Sequence, residues 1–357
     1  MNTEITKRVD LNLGYSCNAD CPFCYYRISS KRKGNGKDLT TKQAKKLLGY
    51  IRRKGKDIVD FTGGEPTIRQ DIFELIAYAK QIGFKEVTVI TNGIRMSNKT
   101  FTQKLIDAGV DDFLFSLHGH NAETHDKLTG ISGSFEKLKQ AVLNASDSGK
   151  IRIRSNTVVN GFNYKYVSNI AETLCSYGVQ HANFICFNPI VEATQVDEEI
   201  NVSHSKVSPY LREMVDSYKD KFKRVTIRYL PFCFMPDYEK YITECPQIQY
   251  DPFEWDYFIR MRIRDGILLS SIATVIGLLL LPNIKRVLTL PIHTLLRESM
   301  MRGLSFKNKA KGKVCKTCKF GHICDGLWKE YIKQLGLSEL RTILGKKIED
   351  PAHFMYE

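Results

Sequence analysis

From residue 5 to about 190 the chain alternates short β-branched runs with longer stretches whose apolar residues recur at helical spacing. The runs Val9–Gly14, Ile58–Thr62, Val87–Thr91, Asp112–Leu117, Ile151–Val159 and His181–Phe187 read as strands. Thr41–Lys54 sets Ala44, Leu47, Leu48 and Ile51 on one helical face, and Asp71–Gln81 repeats the pattern with Ile72, Leu75, Ile76 and Ala79. Gly83, Gly109, Gly149 and Gly178 follow four of the helices, where a C-cap glycine is expected. Six βα units imply a parallel sheet, because parallel strands need crossover connections. An incomplete barrel and a flat doubly wound sheet fit that pattern equally well.

The pattern then changes. Residues 191–225 read as a polar connection with a helix around Pro209–Lys221, and the strand-like Arg224–Leu230 leads into Cys233 and Cys245. Ile267–Leu281 is nearly all apolar, and no charge occurs from Gly266 to Ile284. Arg260, Arg262 and Arg264 precede this run, Lys285 and Arg286 follow it, and a second apolar stretch spans Val287–Leu296. Fifteen residues make a helix of about 22 Å, short of the ~30 Å hydrocarbon core. An interfacial or re-entrant helix pair with basic flanks is expected. The plainer alternative is a buried helix covering the barrel.

Composition adds little until the charge is localised. Apolar residues make up 43% and charged residues 26%, ordinary for a globular chain. The net charge of +14 concentrates in residues 1–60, with 14 Lys/Arg against 6 Asp/Glu, and in 258–313, with 11 against 2. Such surfaces attract nucleic acid, anionic lipid or phosphorylated substrates. No RNA-binding module is recognisable, so no nucleic-acid partner is expected. The N-terminus has no apolar signal core, so a cytoplasmic location is expected, peripheral at the inner membrane face if the apolar segment meets lipid. In that setting ten cysteines read as metal ligands or free thiols rather than disulfides.

The chemistry starts at Cys17, Cys21 and Cys24, a CxxxCxxC triad directly after the first strand. Three thiolates on one loop can hold three irons of a 4Fe–4S cluster and leave the fourth open; a zinc knuckle or buried thiols are the alternatives. The second strand ends in Gly63-Gly64-Glu65-Pro66, the third in Thr91-Asn92-Gly93. The fourth runs through Ser116 to His118-Gly119, followed by His125-Asp126 and Gly133-Ser134-Phe135. Taken in order over residues 17–156, these segments resemble the radical S-adenosylmethionine (radical SAM) superfamily, with Phe23 at its aromatic position.

The resemblance implies a partial (β/α)6 TIM-type barrel with a smaller C-terminal cysteine-rich extension. It implies that Cys17, Cys21 and Cys24 ligate the cluster, and that Gly63, Gly64, Glu65 and Pro66 meet the SAM amino group. Asn92, Ser116 and Asn156 become further cofactor contacts. It also implies an electron donor such as flavodoxin or ferredoxin. One-electron reduction then breaks the S–C5′ bond of SAM, and the 5′-deoxyadenosyl radical abstracts hydrogen from a substrate. His118 and His125 are expected as hydrogen-bonded surface residues.

Near the end, Cys315, Cys318 and Cys324 form a CxxCxxxxxC pattern that alone suits zinc or iron–sulfur equally. Behind such a barrel it resembles the SPASM/twitch extensions that hold auxiliary 4Fe–4S clusters. One auxiliary cluster is expected, with its fourth ligand from Cys233 or Cys245. His322 is expected to be exposed, and Cys175 and Cys186 to be buried as small apolar residues.

Four regions follow: the barrel at 1–190, a connection with the upstream auxiliary cysteines at 191–257, the apolar basic-flanked segment at 258–304, and the cysteine patch with a terminal helix at 305–357. The leading expectation is an oxidoreductase or transferase acting on a lipid or lipid-linked molecule at a membrane face. Maturation of a ribosomally made peptide is second, weakened because only sixteen residues precede Cys17. A non-catalytic zinc-binding protein is the reading from another class.

Overall fold

The computed structural model describes residues 4–25, 37–189, 198–264, 266–280, 288 and 290–355. Eight strands form one parallel sheet in the order β1 to β8. They are β1 (Arg8–Asn12), β2 (Ile58–Thr62), β3 (Glu86–Thr91), β4 (Asp112–Ser116), β5 (Arg152–Val159), β6 (His181–Cys186), β7 (Arg224–Arg228) and β8 (Ile242–Thr243). A doubly wound sheet must reverse its strand order at a switch point. Consecutive order throughout instead gives a partial barrel of the TIM type. The sheet exceeds the six expected strands because β7 lies past the polar connection, while β8 has two residues, too few to show a period.

Helices α1 (Thr41–Arg53), α2 (Ile72–Gln81), α3 (Lys99–Asp107), α4 (Ala122–Thr129), α5 (Ser134–Ser146), α6 (Val167–Ser176) and α7 (His204–Tyr218) accompany the strands. Thr40 starts α1 with a capping box: its hydroxyl accepts the Gln43 N–H, and the Gln43 side chain accepts the Thr40 N–H. Ala44, Leu48 and Ile51 then face the core. Helix α7 begins before the expected Pro209 and carries that proline internally.

The N-terminal ends of the strands form a charged floor. Arg8, Asp10, Asp60, Asp112 and Arg154 are all buried. Arg8 pairs with Asp60 at 2.5 Å and with Glu86, and Arg154 pairs with Asp112 at 2.7 Å. Matched pairs offset the cost of burying these charges. Residues 249–256 cross this floor between β8 and β1: Thr6 N–H donates to Gln249 O at 2.9 Å, and Asp256 N–H to Arg8 O at 2.8 Å.

Beyond the short α8 (Cys245–Ile248) come α9 (Tyr257–Arg264), α10 (Gly266–Leu279) and α11 (Ile292–Asn308). Helices α10 and α11 pack backbone to backbone: a Cβ on Gly277 would meet Ser299 O at 1.5 Å, and one on Gly303 would meet Ala273 O at 1.9 Å. The pair is rooted at the floor, where Asp256 takes Lys56 at 2.5 Å and Arg297 at 2.8 Å, and Tyr250 donates to Glu298. The polarity of α10 is inverted. Ser270, Ala273, Thr274 and Gly277 are buried, whereas Leu268 is 74% and Leu279 83% exposed. Helix α10 therefore packs its small residues against α11 and turns its large ones outward, so the buried-helix alternative fails for that face. Among the described residues no helix is long and apolar enough to cross a membrane. Lys285, Arg286 and Val287, which belong to the expected basic flank and second apolar stretch, lie outside the described residues.

The chain ends in a two-stranded antiparallel ladder, β9 (Lys309–Ala310) with β10 (Leu327–Trp328), and the helix α12 (Lys329–Leu335).

Candidate active site

The loop after β1 carries Cys17, Cys21 and Cys24, and it is pinned from several sides. Asn12 Oδ1 accepts the Gly14 N–H at 2.8 Å, and Thr129 O accepts the Asp20 N–H at 2.7 Å. Asn18 Oδ1 accepts Asn92 Nδ2–H at 2.8 Å. The Phe23 ring stands edge-on to His118 with centroids 4.8 Å apart. Burial pushes the Cys17 thiol up to about 11, with Glu65 and Cys24 adding to the effect. Burial likewise pushes Cys21 up to about 12, reinforced by Cys24 and Cys17. Cys17 and Cys21, held un-ionised beside Cys24, fit a cationic iron centre, whose charge would reverse that repulsion and hold the three sulfurs as thiolate ligands.

The turn after β2 lies directly against this loop. Gly64 N–H donates to Gly14 O at 2.9 Å and Glu65 N–H to Ser16 O at 2.8 Å. Gly63 has φ +138°, and a Cβ there would meet Gly14 O at 2.6 Å; on Gly64 it would meet Ser16 O at 1.9 Å. The glycines are thus required by the cysteine loop itself. With those amides committed, the turn can offer an incoming ammonium only acceptors.

Glu65 is the main one. Its Oε1 accepts Thr67 N–H at 3.1 Å, the Thr67 hydroxyl at 2.6 Å and the Thr91 hydroxyl at 2.7 Å, while among the described residues Oε2 accepts only Asn92 N–H at 2.7 Å. Oε2 therefore keeps acceptor capacity. Burial raises the Glu65 carboxyl above its ordinary range, against the pull of these hydrogen bonds. A buried carboxylate so placed gains from a bound cation. The amino group of SAM meets that requirement. Pro66 is buried and opens the 3-10 turn Pro66–Ile68 behind it.

Asn92 braces Glu65 and Asn18, as described. Ser116 and Asn156 are register partners on β4 and β5, and Asn156 is in turn the partner of Asn183 on β6. Asn183 Nδ2–H donates to Asn156 Oδ1 at 3.1 Å, which completes a polar row across three strands. Sequence reasoning missed Asn183, and missed Thr67 and Thr91 as partners of Glu65; a polar residue between the apolar Ala182 and Phe184 was the available signal for Asn183.

His118 and His125 are buried, not at the surface. Each Nδ1 accepts a backbone N–H at 3.2 Å, from Val158 and His118 respectively. Burial lowers them to about 3 and about 4, so both rings are neutral with the proton on Nε2. Asp126 receives Gly133 N–H at 2.6 Å, Ser134 Oγ–H at 2.9 Å and Phe135 N–H at 2.8 Å. That segment's role is to cap α5 and hold Thr129 against the cysteine loop.

A second cysteine group gathers away from the first. Cys233, Cys315, Cys318 and Cys324 line one cavity with Phe232 and Phe320. Burial raises Cys233 to about 11, with Cys315 and Cys318 adding to the rise. Cys245 does not line that cavity: its N–H donates to Asp325 at 3.1 Å, and its partly buried thiol lies beside Lys309, which pairs with Glu244 at 2.9 Å. Among the described residues no three Cys, His, Asp or Glu side chains converge on one ion-sized site. His322 is half-buried rather than exposed, because it sits inside the tight loop between Cys318 and Cys324. Cys186 is buried as expected; Cys175 is only partly so, lying near the exposed end of α6.

Residues 11–174 match the sequence profile of the Radical SAM superfamily. A protein described as "Probable GTP 3′,8-cyclase" from Saccharolobus solfataricus is 32% identical over 181 residues, 50% of this chain and 56% of its own length. An AdoMet-dependent heme synthase from Oleidesulfovibrio alaskensis is 27% identical over 223 residues, 62% of this chain and 55% of its own. The chain thus spans about half the length of these relatives. Among solved folds, native anSMEcpe with bound AdoMet and a peptide aligns with TM-score 0.58 at 15% identity, covering 98% of this chain and 94% of that one. SuiB from Streptococcus suis bound to S-adenosylmethionine aligns with TM-score 0.52 at 18% identity, covering 65% of this chain and 53% of that one. With the cysteine loop, the glycine turn and the consecutive parallel sheet all in place, residues 11–174 are a radical SAM domain.

Proposed function

We propose that the chain is a radical SAM oxidoreductase or transferase whose SAM-binding 4Fe–4S cluster is held by Cys17, Cys21 and Cys24. When bound, cluster and cofactor together supply reductive S–C5′ cleavage and a 5′-deoxyadenosyl radical for hydrogen abstraction. The observation that carries this reading is the packing of the Gly64–Glu65 amides onto the cysteine loop, which sets a buried carboxylate beside the thiols. Glu65 Oε2 and the turn carbonyls would orient the amino group. Ser116, Asn156 and Asn183 would meet the nucleoside end. Phe23 would shield one side of the cluster from water.

Cys233, Cys315, Cys318 and Cys324 form the ligand set we favour for one auxiliary cluster of the SPASM/twitch kind, because these four line a common cavity. A small acidic electron carrier, flavodoxin or ferredoxin, suits a chain of net charge +14. For the substrate we favour a lipid-linked molecule, on the strength of the outward apolar face of α10. A ribosomally made peptide is the second reading, supported by the fold shared with the peptide-bound anSMEcpe.

Anaerobic iron and sulfide analysis separates these readings from a zinc protein. The expected result is iron with stoichiometric sulfide, depleted by Cys21→Ala. Zinc without sulfide overturns the proposal.

A further inference from the structure

The α10–α11 pair has a feature that SAM chemistry does not use. In a helix packed on a water-exposed domain, large apolar residues face inward and small polar ones outward. Helix α10 does the opposite. Ile267, Leu268, Val275 and Leu279 are 68%, 74%, 57% and 83% exposed, and Ile292 at the start of α11 is 67% exposed. Contiguous apolar surface of this kind marks a place of contact.

The inner face explains how such a helix holds its place. Gly277 and Gly303 bring the two backbones into direct contact with Ser299 and Ala273. The Ser270 hydroxyl donates to Ile267 O at 2.9 Å and Thr274 to Ser270 O at 2.8 Å, so these groups are satisfied within their own helix. Close approach through small residues, with hydroxyls bonded back to the helix, is the way helices associate where the surrounding medium is apolar.

From this geometry we infer that the α10–α11 hairpin docks the protein on an anionic phospholipid bilayer, seated within one leaflet. This deepens the lipid-linked substrate reading above. Charge selects the lipid. Arg260, Arg297 and Lys309 are taken up in ion pairs with Asp10, Asp256 and Glu244, but along the sequence Arg262 and Arg264 precede the uncharged run Gly266 to Ile284 and Lys285 and Arg286 follow it. Basic flanks around an apolar face match anionic headgroups above acyl chains. Length selects the depth. Helix α10 has 14 residues, about 21 Å, and does not reach across a ~30 Å core.

The root of the hairpin fixes the orientation. Asp256 and Arg297 tie it to the strand N-termini, whereas the cysteine loop and Glu65 lie at the strand C-termini. Docking by the floor leaves the cofactor side of the barrel in water. A lipid-linked substrate would then present its reacting group on an extended polar headgroup rather than within the bilayer.

The test is flotation of the full-length protein with vesicles of phosphatidylcholine alone or with about one third phosphatidylglycerol. The expected result is recovery with the anionic vesicles, reduced at least tenfold by the combined exposed changes Leu268→Glu, Val275→Glu and Leu279→Glu. The variant's circular dichroism and iron content should match the parent. Recovery outside the vesicle fraction for both lipid mixtures overturns the inference, as does a parent that forms dimers through this face and fails to float. SAM cleavage measured on the same preparations separates the two claims: cleavage without flotation sinks the docking surface and leaves the radical SAM assignment standing.

Discussion

Asn92 donates its backbone N–H to Glu65 Oε2 at 2.7 Å and its side-chain amide to Asn18 Oδ1 at 2.8 Å, so one residue on the third strand's end fixes both the carboxylate and the cysteine loop. The consequence is that Glu65, Asn92 and the thiols act as one assembly, and changes in any of them should be read at the others.

Glu65→Gln keeps the shape but places an amide where three donors converge on Oε1. A mismatched buried group of this kind costs about 1–3 kcal/mol. The expected outcome is a lower melting temperature and SAM affinity reduced by roughly tenfold or more, measured by equilibrium dialysis on the reconstituted protein. Asn92→Ala should weaken SAM binding in the same direction and also lower cluster content.

Gly64→Ala tests the contact between turn and loop. The added Cβ would lie 1.9 Å from Ser16 O, a backbone atom that cannot yield cheaply. Iron bound at the first site should fall sharply while the auxiliary iron remains. Gly149→Ala, whose Cβ meets nothing within 4 Å, is the control for a strained glycine elsewhere, since φ is +64° there.

The auxiliary ligand set gives a contrast between two cysteines. Cys233→Ala should lower iron from about eight to about four per chain, whereas Cys245→Ala should leave it near eight. The reason is that Cys233 shares the cavity with Cys315, Cys318 and Cys324, and Cys245 is turned to Asp325 and Lys309. Unchanged iron in Cys233→Ala would remove Cys233 from its place, and an equal loss in Cys245→Ala would contradict the exclusion of Cys245.

His204 provides a pH dependence with a definite sign. It is buried, stacked on Tyr331 with centroids 4.4 Å apart, and burial lowers it to about 3. The unfolded chain binds a proton there near the ordinary value of about 6.5. Stability is therefore full above that value and is lost as pH falls from about 6.5 toward 3, by at most about 1.4 kcal/mol per pH unit. His204→Phe keeps the ring and removes the proton. Denaturant melts of both proteins at pH 7.5 and pH 5 should show the parent losing stability relative to the variant; parallel losses would contradict the buried neutral ring.

Much of this site was legible because its chemistry depends on residue type at fixed spacing. Cys17, Cys21, Cys24 and Glu65 could be read from the chain, as could the strand ends that carry them. What escaped depends on where polar residues point. Arg8, Asp10, Asp60 and Asp112 alternate with apolar residues as on a half-solvated strand, yet they face inward and pair across the barrel floor. His118 and His125 are polar residues that read as surface positions, yet both are buried, with one backbone N–H donated to each Nδ1. The inward face of α10 was hidden because periodicity reports which residues are apolar, and not which side the protein takes.

The most direct measurement is 5′-deoxyadenosine formed from SAM by the anaerobic, reconstituted, dithionite-reduced protein beside its Cys21→Ala variant. The account predicts 5′-deoxyadenosine and methionine from the parent and none above background from the variant. Equal amounts from both, or none from a parent carrying a full complement of iron and sulfide, would contradict it.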